Sequence, residues 1–335
     1  MQKIFKKLYN LNQLNEKESY FLFQKIILNQ ISSIHLTVLL TIFKIRKISI
    51  YEIIGAIKAC YDHSKYFPIP RYTFADIVGT GGDKKNTINI STISALIASS
   101  FGIKIIKHCN RSSSNNIGSA DILNNINFNI HLTSEMAKRK LDTLNICFLY
   151  APQYHTGFQH AALVRKILNT NTIFNILGPL LNPAHPNFSI IGVYSKKLLL
   201  PIAQIVNHLN FEKVIIINSD KTDEITLYAP TNVVEVTNGK INFYKLYPED
   251  FGINILPKYM FNISNKKKKI EIFQNIIQGK EKIQYLYLIA VNTAILFKLF
   301  GYNNLKENTK IIFEKIISGK IYQYIQHIRK ENNYE

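Results

Sequence analysis

The sequence has no run of eighteen uninterrupted apolar residues, which is about the length that a transmembrane helix needs. Its longest apolar stretch, residues 93–106 (ISALIASSFGIKII), contains three serines and a lysine. Residues 1–14 are basic but lack the apolar segment and the small-residue cleavage site of a secretory signal. These absences predict a soluble protein that has no targeting peptide and no membrane partner.

Cysteine is scarce in this chain. Cys60, Cys109 and Cys147 are widely spaced, and no C-x-x-C pair is present. An odd number of cysteines at such spacings fits neither a disulfide framework nor a zinc site. The sequence therefore predicts a cytoplasmic protein whose thiols stay reduced.

Acidic residues are also few. The chain has 22 Asp and Glu and 41 Lys and Arg, which gives a formal net charge of +19. This balance suits a nucleic-acid binder, or a site that attracts phosphorylated substrates over a long range. Lysine, asparagine and isoleucine are nevertheless used throughout the chain, as a coding bias would produce, and the lysines do not form one stripe. The charge alone leaves these three interpretations open.

The length of 335 residues exceeds the size at which one core keeps growing, which favours two domains. The first 70 residues have helical periodicity, and Ser49 with Glu52 forms a capping-box pattern ahead of residues 50–61. Pro68 and Pro70 then end the helical pattern. We expect a small α-helical domain over residues 1–72, joined by helices from about residues 155–185.

Short β-rich runs alternate with helical patterns after Tyr72, which is typical of an α/β domain with a mainly parallel sheet. We assign this domain to residues 73–335. The predicted strands are FADIV, IKIIKH, ICFLY, TIFNIL, SIIGVY and VIIIN. The C-terminal third returns to helical patterns, and the lysine run near residue 266 is expected to be an exposed turn.

A glycine-rich loop, DIVGTGGDKKNTINIST (residues 76–92), lies between a predicted strand and a predicted helix. Glycines let the backbone approach an anion, and a helix N-terminus offers unpaired N–H donors. The loop lacks the G-K-[ST] ending of a Walker A motif and the third glycine of a dinucleotide fingerprint. It is either a non-standard phosphate loop or a glycine turn followed by an ordinary Ser/Thr cap.

A basic loop, KHCNRSSSNNIGSAD (residues 107–121), follows the next predicted strand. Cations and hydroxyl groups at the end of a parallel strand form a second candidate anion site. The alternative is a solvated basic loop.

The stretch NSDKTDE (residues 218–224) brings carboxylates to the end of a third strand. Mg²⁺ prefers oxygen ligands beside phosphates, but adjacent strand residues face opposite ways, so Asp223 and Glu224 must lie in a turn to share a metal. An acidic surface turn is the alternative.

Arg165 lies in a predicted helix ahead of the turn signals Gly178-Pro179 and Asn182-Pro183. Its planar fork would suit the carboxylate of an aromatic acid if the side chain is buried. The alternative is an arginine on the surface of a helix.

These four stretches, in this order, resemble the anthranilate phosphoribosyltransferase family. The motifs that carry the resemblance are GTGGD, NIST, KHCNR, GSAD, VRKILNTNTIFNILGPLLNPA and the paired acids Asp223-Glu224, and the resemblance covers nearly the whole chain. It implies the fold of the nucleoside phosphorylase and phosphoribosyltransferase type, a homodimer, and transfer of a phosphoribosyl group from phosphoribosyl pyrophosphate to anthranilate in tryptophan biosynthesis.

The resemblance also implies three sets of site residues, and none of them is assigned as a general base. The residues implied to bind phosphoribosyl pyrophosphate are Gly79, Gly82, Asp83, Thr87, Asn89, Ile90, Ser91, Thr92, Lys107, His108, Cys109, Asn110, Arg111, Ser112, Ser113, Ser114, Asn115 and Ser119. Those implied to bind anthranilate are Gly79, Asn110 and Arg165, and those implied to bind Mg²⁺ are Ser91, Asp223 and Glu224.

The chain departs from the family pattern at places that matter for the site. Cys109 stands where glycine is usual, Asn124 stands where an acid is common, and residues 218–224 contain fewer glycines. A side chain at Cys109 would be strained by about 1–3 kcal/mol if that position needs a positive φ.

Two other functions remain as alternatives. One is a non-catalytic paralogue that binds nucleic acid through its basic surface, and the other is a nucleoside phosphorylase. A binder of the nucleic-acid backbone would need neither Arg165 and Asn110 nor the paired acids, so nucleic acid is not the expected partner. The order of the motifs disfavours the phosphorylase.

Overall fold

A mainly parallel sheet forms the centre of the protein. The computed structural model describes residues 1–82, 88–111, 117–261, 263 and 265–333. Within these ranges seven strands pair in the order β3-β2-β1-β4-β5-β6-β7, and β6 and β7 are antiparallel to their neighbours. The strands are β1 (Ala75–Gly79), β2 (Ile105–Cys109), β3 (Ile146–Tyr150), β4 (Phe188–Gly192), β5 (Lys213–Ser219), β6 (Thr231–Thr237) and β7 (Lys240–Leu246).

The N-terminal segment is helical, as predicted, and helices also cover both faces of the sheet. The α-helices are α1 (Gln2–Tyr9), α2 (Glu16–Ile27), α3 (Ser33–Ile45), α4 (Ile50–Asp62), α5 (Ile90–Ser99), α6 (Ser119–Asn125), α7 (Ser134–Leu144), α8 (Ala151–Tyr154), α9 (Gln159–Leu168), α10 (Ile173–Leu177), α11 (Leu199–His208), α12 (Lys266–Ile277), α13 (Ile283–Leu299), α14 (Leu305–Ile317) and α15 (Lys320–Asn333). In the described ranges no helix is long and apolar enough to cross a membrane. The predicted fold class, a small all-α domain followed by a larger α/β domain, is confirmed.

Local signals explain where the first helices begin. The Ser49 hydroxyl accepts a hydrogen bond from the backbone N–H of Glu52, and the Glu52 carboxylate accepts one from the backbone N–H of Ser49. This reciprocal capping box starts α4 at the predicted place. Asn15 and Glu18 form the same arrangement at α2.

Two predictions of secondary structure are wrong. The run TIFNIL is α10 and not a strand, because the Asn175 side chain accepts a hydrogen bond from the backbone N–H of Thr172 and starts a helix there. The lysine run near residue 266 is the first turn of α12 and not an exposed turn. The Asn265 side chain accepts from the Lys268 N–H at the start of that helix, and Lys269 is buried.

The hairpin of β6 and β7 and the break between α14 and α15 were not predicted from the sequence. Strands β6 and β7 form a hairpin across Asn238 and Gly239, which have φ values of 46° and 83°. Such values are typical of a two-residue hairpin turn. The final helical pattern is divided into α14 and α15 at Gly319, whose φ is 75°.

The sheet separates two large hydrophobic cores. One core contains Ala75 and Ile77 of β1 together with buried residues of α5 and α13. The other contains residues of α2 and α4 together with Ile191 of β4, and it also includes the buried Val164 and Phe174. Helices α9 and α10 therefore pack with the N-terminal helices, and the proposed division at residue 72 stays a prediction.

The order of the strands defines where a ligand has room. The chain passes from β1 outward to β2 and β3, and then returns to the other side of β1 as β4. Open α/β sheets bind ligands at such a reversal, outside the carboxyl ends of the strands. In this chain that place is the end of β1 and β4, at Gly79 and Gly192, which are partners in register.

Candidate functional site

The carboxylate of Asp223 lies over the reversal point of the sheet. A Cβ atom on Gly79 would be 2.3 Å from Asp223 Oδ2, and a Cβ atom on Gly192 would be 1.7 Å from the Asp223 carbonyl oxygen. Asp223 Oδ2 accepts a hydrogen bond of 2.8 Å from the backbone N–H of Gly81. Two glycines thus make space for the acid, and the loop after β1 holds it.

A tight turn brings Asp223 and Glu224 to this position. Asp220 and Lys221 have φ values of 43° and 62°, the left-handed region in which glycine is favoured, although neither is glycine. Ser219 and Thr222 form an isolated bridge that closes the turn. Asp223 and Glu224 lie in the bend that follows and not in a strand. This is the arrangement that two adjacent acids would need in order to bind the same metal ion.

Burial governs the charge of Asp223. It raises the pKa of the Asp223 carboxyl, while the hydrogen bond from Gly81 and the positive charge of Lys107 oppose that effect. A partly desolvated carboxylate at the edge of a sheet is a good ligand for a cation, because a cation compensates the lost hydration.

Lys107 is buried beneath this edge, 1% exposed. Its ammonium group donates to the Ile77 carbonyl and, at 3.1 Å, to the Ser91 hydroxyl. Burial lowers the pKa of Lys107, and the nearby negative charges of Asp76, Glu224 and Asp223 oppose that effect. Lys107 therefore contacts the start of α5, and its charge interacts electrostatically with the acids after β5.

Helix α5 begins inside the NIST motif, at Ile90, which is three residues earlier than predicted. The Asn89 side chain does not cap this helix and instead donates a hydrogen bond of 3.1 Å to the Ile117 carbonyl. Asn89 thereby links the glycine loop to the basic loop. Ser91 lies in the first turn, where unpaired N–H groups and the helix dipole favour an anion.

The basic loop lies beside this helix start. Asn110 and Arg111 are exposed, and Arg111 Nε is 3.9 Å from Asp121 Oδ1. Asp121 also accepts a hydrogen bond of 2.8 Å from the Gly118 N–H, which orders the turn ahead of Ser119. Ser119 is the first residue of α6 and is partly exposed.

Cys109 does not strain the loop. It is the last residue of β2 and is not among the residues with positive φ, so the position accepts a side chain. Burial raises the pKa of its thiol to about 12, so Cys109 is a neutral thiol near pH 7. The expected penalty of a non-glycine residue is therefore absent at this position.

Several of the predicted site residues have buried side chains. Ile90, Thr92 and Cys109 are at most 3% exposed, and Ile90 and Cys109 belong to the hydrophobic core. Six other predicted residues lie outside the described part of the chain. They are Asp83, Thr87, Ser112, Ser113, Ser114 and Asn115.

Arg165 lies on α9, and its guanidinium carbon is 5.1 Å from the centre of the Phe174 ring. Burial lowers the pKa of Arg165, although the group stays charged. Among the described residues, its side chain has this ring contact but no hydrogen bond and no acidic partner. A half-buried guanidinium in that situation is suited to a carboxylate.

Aromatic rings connect Arg165 to the end of β2. Phe174 contacts Phe158 with ring centres 5.2 Å apart, Phe158 stacks on His155 at 5.6 Å, and His155 contacts His108 at 5.6 Å. Burial and the neighbouring His155 lower the pKa of His108 to about 3, so its ring is neutral. The series gives an apolar, aromatic wall between Arg165 and the basic loop.

Asn182 of the NPA turn is a structural anchor behind this wall. Its side-chain amide donates hydrogen bonds of 2.8 Å to Asp76 Oδ2 and to the Ile106 carbonyl, so it joins the turn to β1 and β2. Asp76 is completely buried, and burial raises its pKa to about 6. The turn that the sequence signalled therefore fixes two site strands, β1 and β2, relative to each other.

Four residues at the site were missed by reasoning from the sequence. Thr80 donates its N–H to the Gly192 carbonyl at 2.9 Å, and the glycine within SIIGVY, Gly192, was the available signal for this contact. Asn171 Nδ2 donates to the Gly82 carbonyl at 3.1 Å, and Asn175 Nδ2 donates to the Thr80 carbonyl at 3.5 Å. No sequence signal distinguishes these two asparagines from helix-capping residues.

Comparison with known proteins assigns the family. Residues 2–64 match the helical bundle domain, and residues 71–322 the a/b domain, of the glycosyl transferase family. The chain is 50% identical to the anthranilate phosphoribosyltransferase of Buchnera aphidicola subsp. Acyrthosiphon pisum (strain 5A), over 100% of this chain and 98% of that relative. It is 48% identical to that of Buchnera aphidicola subsp. Melaphis rhois, over 98% of this chain and 100% of the relative.

Solved structures agree with this assignment. The anthranilate phosphoribosyltransferase of Thermus thermophilus superposes with a TM-score of 0.89 at 28% identity and covers 99% of both chains. The Saccharomyces cerevisiae enzyme in complex with PRPP and Mg superposes with a TM-score of 0.88 at 27% identity, over 99% of this chain and 98% of that chain. From the motifs, the fold and these similarities, the chain belongs to the anthranilate phosphoribosyltransferase family.

Proposed function

We propose that this protein transfers the phosphoribosyl group of phosphoribosyl pyrophosphate to the amine of anthranilate, a step of tryptophan biosynthesis. The products are N-(5-phosphoribosyl)anthranilate and pyrophosphate. The observation that carries the proposal is the position of Asp223, held by Gly81 over the reversal point of the sheet and close to Lys107 and the start of α5. Family membership over the full chain supports the same reaction.

Phosphoribosyl pyrophosphate would lie between the glycine loop, the start of α5 and the basic loop. Of the described residues, Gly79, Gly82, Asn89, Ser91, Asn110, Arg111 and Ser119 border this space, and Lys107 supports it from below. Backbone N–H groups and cations favour phosphate there. The buried Ile90, Thr92, His108 and Cys109 would act through the backbone or through packing.

The acids after β5 fit Mg²⁺. Among the described residues there is no cluster of three or more His, Cys, Asp and Glu side chains that could hold a metal alone. Mg²⁺ commonly takes one or two carboxylates and completes its shell with water and substrate phosphates. Asp223 and Glu224, with the Ser91 hydroxyl, would therefore hold it together with the pyrophosphate. When bound, Mg²⁺ neutralises charge on the leaving pyrophosphate.

Anthranilate would bind between the aromatic wall and the basic loop. The Arg165 guanidinium, which has no acidic partner among the described residues, would pair with the anthranilate carboxylate. The exposed Asn110 and the backbone of Gly79 would contact the amine side of the ring. Arg165 would thus orient a weakly basic nitrogen for attack, which is a contribution of proximity.

The proposed reaction develops charge on the leaving pyrophosphate, at a place where groups of this site can stabilise it. Loss of pyrophosphate builds negative charge on the leaving group and positive charge on the sugar, and the helix N–H groups and basic loop stabilise the former. The amine becomes acidic only as the nitrogen–carbon bond forms, so water or pyrophosphate can accept its proton. The neutral His108 is buried among aromatic side chains, and we assign no general base.

We further propose a cytoplasmic homodimer. Ile34 of α3 and Ile167 of α9 are 78% and 73% exposed, and α3 packs against α9, so both lie on the helical part of the protein. Exposed apolar side chains of this kind are candidates for a subunit interface. Sedimentation of the purified chain at the mass of two copies would support the dimer, and a monomer at all concentrations would exclude it.

One assay separates the proposed reaction from its alternatives. Purified protein is supplied with Mg²⁺ and either anthranilate plus phosphoribosyl pyrophosphate or a nucleoside plus phosphate, and the products are identified by mass. The proposal predicts phosphoribosylanthranilate in the first mixture and no phosphorolysis in the second. DNA binding whose affinity falls steeply with salt, without turnover in either mixture, would instead favour a nucleic-acid binder.

A further inference from the structure

We infer that Asn171 and Asn175 are positioning residues that fix the glycine loop from the helical side of the site. The inference deepens the proposed function and concerns Thr80, Gly81 and Gly82, the described residues that follow β1. On one side this loop is held by β4, because Thr80 donates to Gly192, and by the bend after β5, because Gly81 donates to Asp223. The other side is held by the two asparagine amides.

The contact between Asn171 and Gly82 is close and specific. Asn171 Nδ2 donates a hydrogen bond of 3.1 Å to the Gly82 carbonyl oxygen. A Cβ atom on Gly82 would lie 2.4 Å from Asn171 Oδ1, and Gly82 has a φ of 74°. Only glycine lets the loop turn at this point and still meet the amide.

A second contact, made four residues later in the chain by Asn175, also holds the loop. Asn175 Nδ2 donates to the Thr80 carbonyl at 3.5 Å while its Oδ1 accepts from the Thr172 N–H, so Asn175 both caps α10 and touches the loop. Lys44 of α3 fixes the segment from outside by donating to the Thr170 hydroxyl and to the Asn171 carbonyl. The amides are therefore presented by an anchored segment.

The same segment carries the arginine that we assign to anthranilate. Arg165 stacks on Phe174, which lies between Asn171 and Asn175 in the sequence. One short stretch of chain thus supports the loop for one substrate and the guanidinium for the other. Loss of the Asn171 amide should loosen the loop and leave Arg165 in place.

The test compares Asn171→Ala and the isosteric Asn171→Asp, which lacks the N–H donor, with the wild-type protein. One lost hydrogen bond corresponds to roughly a three- to tenfold change in affinity. We expect KM for phosphoribosyl pyrophosphate to rise about three- to tenfold in Asn171→Ala and further in Asn171→Asp, because a carboxylate also repels phosphate. KM for anthranilate should change less than twofold. Asn171→Gln, which keeps the donor, should recover part of the loss.

Asn303→Ala is the matched control, because this asparagine is exposed, lies between α13 and α14, and makes no hydrogen bond within the described chain. An unchanged KM for phosphoribosyl pyrophosphate in Asn171→Ala would overturn the inference, as would an equal rise for both substrates. Calorimetric titration with phosphoribosyl pyrophosphate and Mg²⁺ repeats the comparison without turnover. Wild-type protein that binds this ligand but forms no product would refute the proposed function while the titration still decides the role of Asn171.

Discussion

The backbone N–H of Gly81 donates a hydrogen bond of 2.8 Å to the carboxylate of Asp223, so an acid that follows β5 is fixed to the loop that follows β1. These two segments are 142 positions apart in the sequence. The hydrogen bond lies at the reversal point of the sheet, where the proposed metal and pyrophosphate would meet. Changes that move Asp223 should therefore affect turnover more than they affect folding.

Replacing Gly192 with alanine tests the space beneath Asp223. The new Cβ atom would lie 1.7 Å from the Asp223 carbonyl oxygen, so the bend that carries the acids must shift. We expect kcat to fall by about 10²-fold, the scale of losing one strong electrostatic contact. Overpacking should cost about 1–3 kcal/mol in the free energy of unfolding. In Gly178→Ala the added Cβ would meet no atom within 4 Å, so this variant serves as the control. A Gly192→Ala enzyme with wild-type kcat would contradict the account.

The double variant Asp223→Asn plus Glu224→Gln tests the proposed metal ligands. We expect turnover to fall by ~10² or more, with a higher Mg²⁺ concentration needed for half-maximal rate. The free energy of unfolding at pH 7 should not fall in parallel. Burial disfavours the charged form of Asp223, as its raised pKa indicates, and a neutral amide does not carry this desolvation cost. Glu249→Gln, at an exposed acid, is the control. Unchanged dependence on Mg²⁺ would refute the assignment.

Replacing Arg165 tests the proposed contact with anthranilate. A lost charge-assisted hydrogen bond corresponds to about 1.5–3 kcal/mol, so KM for anthranilate should rise roughly 10- to 100-fold in Arg165→Ala. Arg165→Lys should recover part of this, since lysine keeps the charge but not the planar fork. Substitution of the exposed neighbour Lys166 by alanine provides the control. Equal loss of affinity for phosphoribosyl pyrophosphate would contradict the role of Arg165.

The buried Asp76 predicts a particular dependence of stability on pH. Its pKa is raised from 3.8 to about 6 by burial, so the native state holds the proton more tightly than the unfolded state does. The free energy of unfolding should therefore decrease as pH rises from about 4 to about 6, by about 3 kcal/mol from this group. Asp76→Asn should remove this decrease and be the more stable protein at pH 7.5.

Denaturant titrations of the wild type and Asp76→Asn between pH 4 and pH 8 measure that difference. Asp142→Asn gives a control of opposite sign. Lys138 and Tyr72 hold the pKa of the Asp142 carboxyl below its ordinary value, so its contribution is present at higher pH and is lost on acidification. Identical pH profiles for the wild type and Asp76→Asn would show that Asp76 does not titrate as described.

Regular patterns in the sequence predicted most of the architecture. Strand β3 lies where ICFLY predicted it, and α4 starts at the Ser49 capping box, because both signals are local. TIFNIL was misread because a short run of β-branched and aromatic residues suits either a strand or a buried helix. The deciding contact is the hydrogen bond between Asn175 and Thr172.

The site could be predicted only in part, because it is made of contacts between distant segments. Glycine, hydroxyl and acidic residues indicated which loops take part. The sequence does not show that Asp223 needs both Gly79 and Gly192 beneath it, since these belong to two strands that become neighbours only in the folded sheet. The amide of Asn171 was missed for the same reason, since its partner Gly82 is 89 positions away.

The central claim is tested most directly by the fluorescence of anthranilate in the presence of purified protein, phosphoribosyl pyrophosphate and Mg²⁺. The chain contains no tryptophan, so the protein adds little emission of its own. We predict a steady loss of fluorescence as anthranilate is consumed, which requires all three components and stops when EDTA removes the metal. Constant fluorescence at saturating substrates, with protein whose circular dichroism shows it to be folded, would contradict the account.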